Sequence, residues 1–173
     1  MKTIKHFSVL IFFTILLTQN TLAMEKKTVQ KTTVLCISLN TSLKSLITDT
    51  GNLPNELLAK AAELKLEIVG PQIWVYEGSD GNPNTKMEVT IAVPVSKISG
   101  DPGKFRFAEF PEMNCISEIH KGPYAKSGET YMKLMAAIMS EGLSYTGTSR
   151  EIYKVCDFEN QENCITEIQI EVK

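Results

Sequence analysis

The sequence predicts an α+β fold in which two successive βαββ units form one mainly antiparallel sheet, with two helices on one face and a ligand cleft on the other. Three observations predict it. Two segments repeat their apolar residues at the helical period, and the segments around them alternate at period two. The order strand, helix, strand, strand then occurs twice, with matched landmarks. Gly70 lies six residues before Tyr76, as Gly147 lies six before Tyr153. Glu88 follows Gly70 by 18 residues, Glu167 follows Gly147 by 20, and Cys36-Ile37-Ser38 recurs as Cys115-Ile116-Ser117.

The 173-residue chain opens on a basic start, Lys2 and Lys5. An apolar run from Phe7 to Leu17 follows, and then Thr21-Leu22-Ala23 with small residues where a signal peptidase reads. The run is shorter than the roughly 20 residues of a membrane span. Residues 1–23 therefore read as a cleaved signal peptide, and the mature chain is expected to be exported, periplasmic or secreted, with no stable membrane span. No cysteine stands at the cut, which argues against a lipid anchor. Residues 24–32 read as a mobile polar leader. Residues 33–173 form one domain, long enough for a real core.

Within that domain Thr33 to Leu39 is rich in β-formers and is the first strand. Pro54 to Leu66 places Leu57, Leu58, Ala61 and Leu64 on one stripe, with Pro54 in the first turn. Gln72 to Tyr76 and Met87 to Val95 alternate as strands around the turn-rich Ser79–Asn84 segment. Asn114 to His120 opens the second unit. Glu129 to Glu141 carries the stripe Tyr131, Leu134, Met135 and Ile138, and Gly142 stops that helix. Arg150 to Val155 and Ile165 to Val172 are its last strands, around a loop from Asp157 to Asn163.

Removing Lys2 and Lys5 and no acid takes the formal charge from −2 to −4. A mildly acidic chain without a basic block is not expected to bind nucleic acid. The cysteines Cys36, Cys115, Cys156 and Cys164 lack CxxC spacing, and only His120 remains after the signal peptide, so no metal site or cofactor is expected. Export permits disulfides. Cys156 and Cys164 flank the second loop and are expected to bridge; Cys36 and Cys115, at equivalent repeat positions, are either a second bridge near the pseudo-axis or two buried thiols.

Strand alternation assigns faces. If Ile73, Val75 and Ile152 meet the helices, Trp74, Tyr76, Glu151 and Tyr153 point the other way, joined by Glu88 and Glu167. Rings around carboxylates offer flat apolar area and attract cations. An ordinary solvated sheet face would use the same residue types.

His120-Lys121-Gly122-Pro123-Tyr124 resembles the H-x-G-P-Y motif of the GyrI-like small-molecule-binding domain, the effector-binding domain of AraC- and MerR-type regulators. Glu151-Ile152-Tyr153, Thr166-Glu167-Ile168-Gln169-Ile170 and Ile91-Ala92-Val93-Pro94-Val95 resemble that family's E-x-Y, T-E-I and G-V-P-V-like segments, so the likeness spans essentially the whole mature chain. The resemblance implies a repeated βαββ fold shared with SOUL-type haem-binding proteins, with a ligand cleft on the pseudo-two-fold axis. It implies a cleft glutamate on the last strand, which maps onto Glu167, with Tyr153 and Tyr124 as its tyrosines. Trp74 and Tyr76 come from alternation alone, and Glu88 and Glu151 fall near the rim. The family's regulators carry an added DNA-binding domain that this sequence does not contain, so fold transfers better than function.

The expected function is that of an exported, stand-alone binder of a small hydrophobic, aromatic or cationic molecule. The alternative is a hydrolase of strained or electrophilic small molecules, resembling GyrI-like cyclopropanoid hydrolases, with Glu167 as general base and Tyr153 as its partner. Haem binding through His120 is the weakest of the three readings.

Overall fold

A computed structural model describes residues 24–157 and 159–173. The signal peptide expected over 1–23 lies outside the described residues. The elements run β1 (Glu25–Val29), β2 (Thr32–Thr41), α1 (Leu46–Thr50), α2 (Leu53–Glu63), β3 (Ile73–Glu77), β4 (Met87–Pro94), β5 (Arg106–Phe110), β6 (Met113–Lys121), α3 (Ser127–Ser140), β7 (Tyr145–Val155) and β8 (Ile165–Val172). Short 3-10 turns at Tyr124–Lys126 and Gln161–Asn163 precede α3 and β8. Among the described residues no helix is long and apolar enough to cross a membrane.

The eight strands of the described residues form one antiparallel sheet in the order β1-β6-β8-β7-β3-β4-β2-β5. The two predicted units are its halves, β2-β4-β3 and β6-β8-β7, joined where β3 pairs with β7. Two strands were not predicted. The segment read as a mobile leader is an edge strand, with Glu25–Val29 paired to Met113–Ser117. Arg106–Phe110 pairs with β2 at the other edge. Each precedes the first strand of one unit and pairs with the first strand of the other, so the halves exchange their leading strands.

This exchange bends the sheet. Only Gln30 and Lys31 separate β1 from β2, and only Pro111 and Glu112 separate β5 from β6, although each link joins opposite sides of the sheet. Three residue steps reach about 10 Å at most. The two edges must therefore approach each other, and the sheet curls toward a barrel. Its inner face has a core of its own: Val34, Cys36, Val75, Ala92 and Phe110.

The helices cover the other face. Leu57 and Ala61 of α2 pack with Leu35, Ile91 and Val93, and Leu134 and Ile138 of α3 pack with Ile116, Ile168 and Ile170. Both helices end alike. Leu66 N–H bonds the Ala61 carbonyl with Lys65 at φ 52°, and Leu143 N–H bonds the Ile138 carbonyl with Gly142 at φ 67°. That turn stops α2 at Glu63, short of the predicted Leu66.

Candidate functional site

The helices leave the middle of their face open. α2 packs on β2 and β4, and α3 packs on β6 and β8. Beneath the gap lie the central strands β3 and β7, whose pairing sets Trp74 against Glu151 and Ile73 against Ile152. Trp74 packs with the α2 core, and Tyr131 of α3 bonds Glu151. Val75, by contrast, lies in the inner core. Trp74, Tyr76, Glu151 and Tyr153 therefore share the helix side of the sheet, opposite to the expected side. Alternation failed because it assumed one dry face. The curled sheet has an apolar core on its inner face as well, so Ile73 and Val75 satisfy that core while the rings lie on the helix side, between α2 and α3.

The groove centres on the Glu151 carboxylate. Its Oε2 accepts hydrogen bonds from Tyr76 (3.0 Å) and Tyr153 (2.5 Å), and its Oε1 accepts one from Tyr131 (3.1 Å). Burial, and then the Glu151 charge itself, pushes the pKa of all three phenols well above the usual range, so each stays a donor. Among the described residues no Lys, Arg or His lies within ion-pair distance of Glu151. Three phenols spread its charge, and none cancels it.

Symmetry explains why there is one carboxylate. Trp74 and Glu151 are 77 residues apart and face each other across β3 and β7; Tyr76 and Tyr153 are also 77 apart, as are Ile91 and Ile168, the next partners outward. The pseudo-two-fold axis passes between Trp74 and Glu151, each the other's counterpart, with Tyr76 and Tyr153 disposed about them. Both tyrosines reach the same carboxylate because it stands at the axis.

The walls follow from the same packing. Trp74 meets Tyr153 edge-on at 5.7 Å between ring centroids, and Tyr124 meets Tyr153 at 5.6 Å. Trp74 is oriented by a 2.9 Å bond from its Nε1 to Gln72 Oε1. On α3, Thr130 turns outward to His120 while Tyr131 turns inward to Glu151. At 100° per residue, Met135, Met139 and Met132 continue round that inward flank, with Met132 and Met139 68% and 77% exposed. Leu58, opposite the outward-facing Glu56, holds the corresponding flank of α2.

His120 builds the end wall. It is buried, with Nδ1 3.1 Å from Thr130 Oγ1 and Nε2 3.0 Å from the Pro123 carbonyl. Gly122, at φ 102°, donates to the Cys164 carbonyl. The H-x-G-P-Y run thus bends the chain sharply and delivers Tyr124 against Tyr153. Both ring nitrogens of His120 are engaged, which leaves none for haem iron. Among the described residues no group of three or more His, Cys, Asp or Glu is placed to hold a metal ion.

Two predicted site residues lie elsewhere. Glu88 is exposed and pairs with Glu77 and Asn40 on the inner-face side of the sheet. Glu167 shares that face with Ile152, its partner across β7 and β8. It is 5% exposed and bonded to Lys27 (2.6 Å), Lys154 (2.5 Å) and Gln169 (2.7 Å). Burial alone would raise its pKa; the bonds from Gln169, Lys154 and Lys27 outweigh it and bring the carboxyl down to about 2. Its counterpart 77 residues earlier is Thr90, so the matched glutamates were a coincidence of spacing. Through Lys27 and Lys154, Glu167 ties β1 and β7 to β8, and with them it lines a separate cavity of about 250 Å³. The central glutamate is Glu151, and Tyr131, read as a core residue of its helix, is the member missed.

The four cysteines are free thiols here. Cys36 and Cys115 sit on β2 and β6, with β4, β3, β7 and β8 between those strands in the sheet.

No curated protein matches the sequence. Solved structures do match its fold. The C-terminal domain of EcmrR is 20% identical, with 87% of this chain and 97% of that one covered and a TM-score of 0.73. In an EcmrR–DNA complex this chain spans 57% of the longer EcmrR chain, at 21% identity, 87% coverage of this chain and a TM-score of 0.74. SAV2435 bound to tetraphenylphosphonium is 17% identical over 87% of this chain and 94% of its own, with a TM-score of 0.61. A hydrolase encoded by lin2189 from Listeria innocua is 16% identical over 88% and 92%, also at 0.61. The model of the GyrI-like small molecule binding domain matches residues 22–173, and the chain belongs to that family.

Proposed function

We propose that the chain binds a lipophilic cation, or a flat aromatic molecule carrying positive charge, in the groove between α2 and α3. The observation that carries this reading is Glu151, a carboxylate with three phenol donors and, among the described residues, no cation within ion-pair distance. A bound cation supplies the missing charge, and the faces of Trp74, Tyr153 and Tyr124 add attraction of about 0.5–2 kcal/mol each where water is excluded. The methionine flank of α3 suits an apolar ligand of irregular shape, because thioether chains repack. SAV2435, of the same fold, was solved with such a cation. Calorimetric titration with tetraphenylphosphonium and with a neutral arene of similar bulk tests the reading. Preference for the cation by tenfold or more supports it; equal affinity, or none for either, overturns it.

Hydrolysis with Glu167 as general base lacks support. That carboxylate is tied to two ammonium groups, and its low pKa makes it a poor proton acceptor.

We also propose that residues 1–23 direct export, so that β1 begins just inside the mature terminus. Intact mass from the native host decides this: a chain beginning near Met24 supports export, and one beginning at Met1 refutes cleavage.

A further inference from the structure

The end of the β7–β8 hairpin brings two cysteines to the Tyr124 hydroxyl. The last paired residues are Val155 and Ile165, so Cys156 and Cys164 are the next residues along the two chains. Were the antiparallel register to continue by one residue, their Cα atoms would lie about 4.5–5.5 Å apart, inside the roughly 4.4–6.8 Å that a disulfide spans. The Cys164 side chain already leans that way. Its Sγ lies 3.3 Å from the Asp157 amide and 3.4 Å from the Asp157 carbonyl, on the residue next to Cys156. The two cysteines differ in access: Cys156 is exposed and Cys164 fully buried.

A second observation joins the pair to the groove. The Tyr124 hydroxyl is buried without a well-formed hydrogen bond, and the sulfurs of Cys156 and Cys164 are its neighbours. The Tyr124 ring packs on Tyr153, whose hydroxyl bonds Glu151. The Gly122 amide, two residues before Tyr124, bonds the Cys164 carbonyl. The Tyr124 hydroxyl therefore lies beside both cysteines, and the chain just before it is bonded to Cys164.

We propose that Cys156 and Cys164 are a reversible dithiol–disulfide pair whose oxidation state sets the position of Tyr124 and, with it, the affinity of the groove. The regulatory half rests on the ligand-binding reading above. With a small-molecule disulfide such as oxidised glutathione as oxidant, the exposed Cys156 thiolate attacks one glutathione sulfur. One glutathione thiolate leaves and takes up a proton. Cys164 then gives up its proton and attacks the Cys156 sulfur, releasing the second glutathione thiol. Two electrons pass from the protein dithiol to the oxidant, and the two protons end on the two glutathione molecules. The bridge holds the hairpin ends together and fixes the support of Tyr124, so the oxidised groove is the better organised.

The full chain, equilibrated in glutathione buffers from reducing to oxidising, provides the test. Thiols are alkylated for peptide mass mapping, tetraphenylphosphonium affinity is measured at each poise, and the Tyr124 ring signals are followed by NMR, assigned with Tyr124→Phe. A Cys156–Cys164 crosslink is expected to form reversibly while Cys36 and Cys115 stay free. The Tyr124 signals should shift with it, and affinity should rise at least threefold on oxidation. Cys156→Ser should hold the reduced affinity at every poise. Absence of that crosslink at any poise overturns the proposal, as does a crosslink that leaves the Tyr124 signals or the affinity unchanged. If neither form binds the cation while the crosslink and the Tyr124 shift appear, the ligand reading fails and the regulatory half falls with it; the redox pair and its hold on Tyr124 are then established separately.

Discussion

Replacing Glu167 by Gln keeps the side-chain shape and removes a charge that Lys27 and Lys154 both address. The magnitude follows from the carboxyl itself. Its pKa falls from 4.5 to about 2 on folding, which by linkage is worth about 3 kcal/mol at neutral pH. Because the folded value is the lower one, that stability is complete above about pH 5 and is lost as pH falls from 4.5 through 2. The two lysines are 28% and 43% exposed, so they regain water in the variant. The cost should therefore fall near 2–3 kcal/mol rather than the 3–5 of a fully buried pair. For a domain of this size that is a drop in melting temperature of about 5–10 °C. Calorimetric melting at several pH values reads it: a full deficit at pH 7, shrinking as the pH approaches 2. Tetraphenylphosphonium affinity should be unchanged, since Glu167 lies on the other face of the sheet. A normal melt, or a normal melt with lost cation binding, would refute the reasoning and return Glu167 to the site.

Three other substitutions probe the groove and its supports. Tyr153→Phe removes one phenol from Glu151, and denaturant unfolding should show a loss of about 1.5–3 kcal/mol, the range for a hydrogen bond to a charged group; its ring remains, so cation affinity should fall less than tenfold. His120→Phe unties Pro123 and Thr130, and should cost about 1–3 kcal/mol in the same assay while weakening the cation severalfold through Tyr124, with the circular dichroism spectrum unchanged. Lys27→Met removes the β1 partner of Glu167 and should lower the melting temperature at pH 7 but not near pH 2, with groove affinity intact.

Much of the fold was legible because each unit repeats the same helix stripe, strand alternation and glycine landmark. The missing strands, β1 and β5, are edge segments of five residues each. Glu25-Lys26-Lys27-Thr28-Val29 carries no apolar alternation, and its place depends on a partner almost ninety residues away. Their exchange produces the curl, and the curl defeated the face assignment. Ile73 and Val75 looked like the helix side of β3 because an inner core of the sheet's own was not anticipated. The site was therefore half legible. Trp74, Tyr76, Tyr124 and Tyr153 do converge, but around Glu151 rather than Glu167. Matching the repeats on Tyr76 and Tyr153 already fixes the 77-residue offset that sets Glu151 against Trp74. Glu88 and Glu167, 79 apart, break that offset by two residues, which keeps the face and loses the position. Nothing local to Tyr131 separates it from the core residues of its helix stripe.

The central claim is that Glu151 supplies the counter-charge in the groove, and Glu151→Gln tests it most directly. The amide keeps the volume and can still accept from the tyrosines, so the fold should hold. Titrated side by side, wild type and variant should differ at least tenfold in tetraphenylphosphonium affinity, at least 1.4 kcal/mol, while a neutral arene of similar bulk binds both alike. Equal cation affinity in the two proteins would contradict the account.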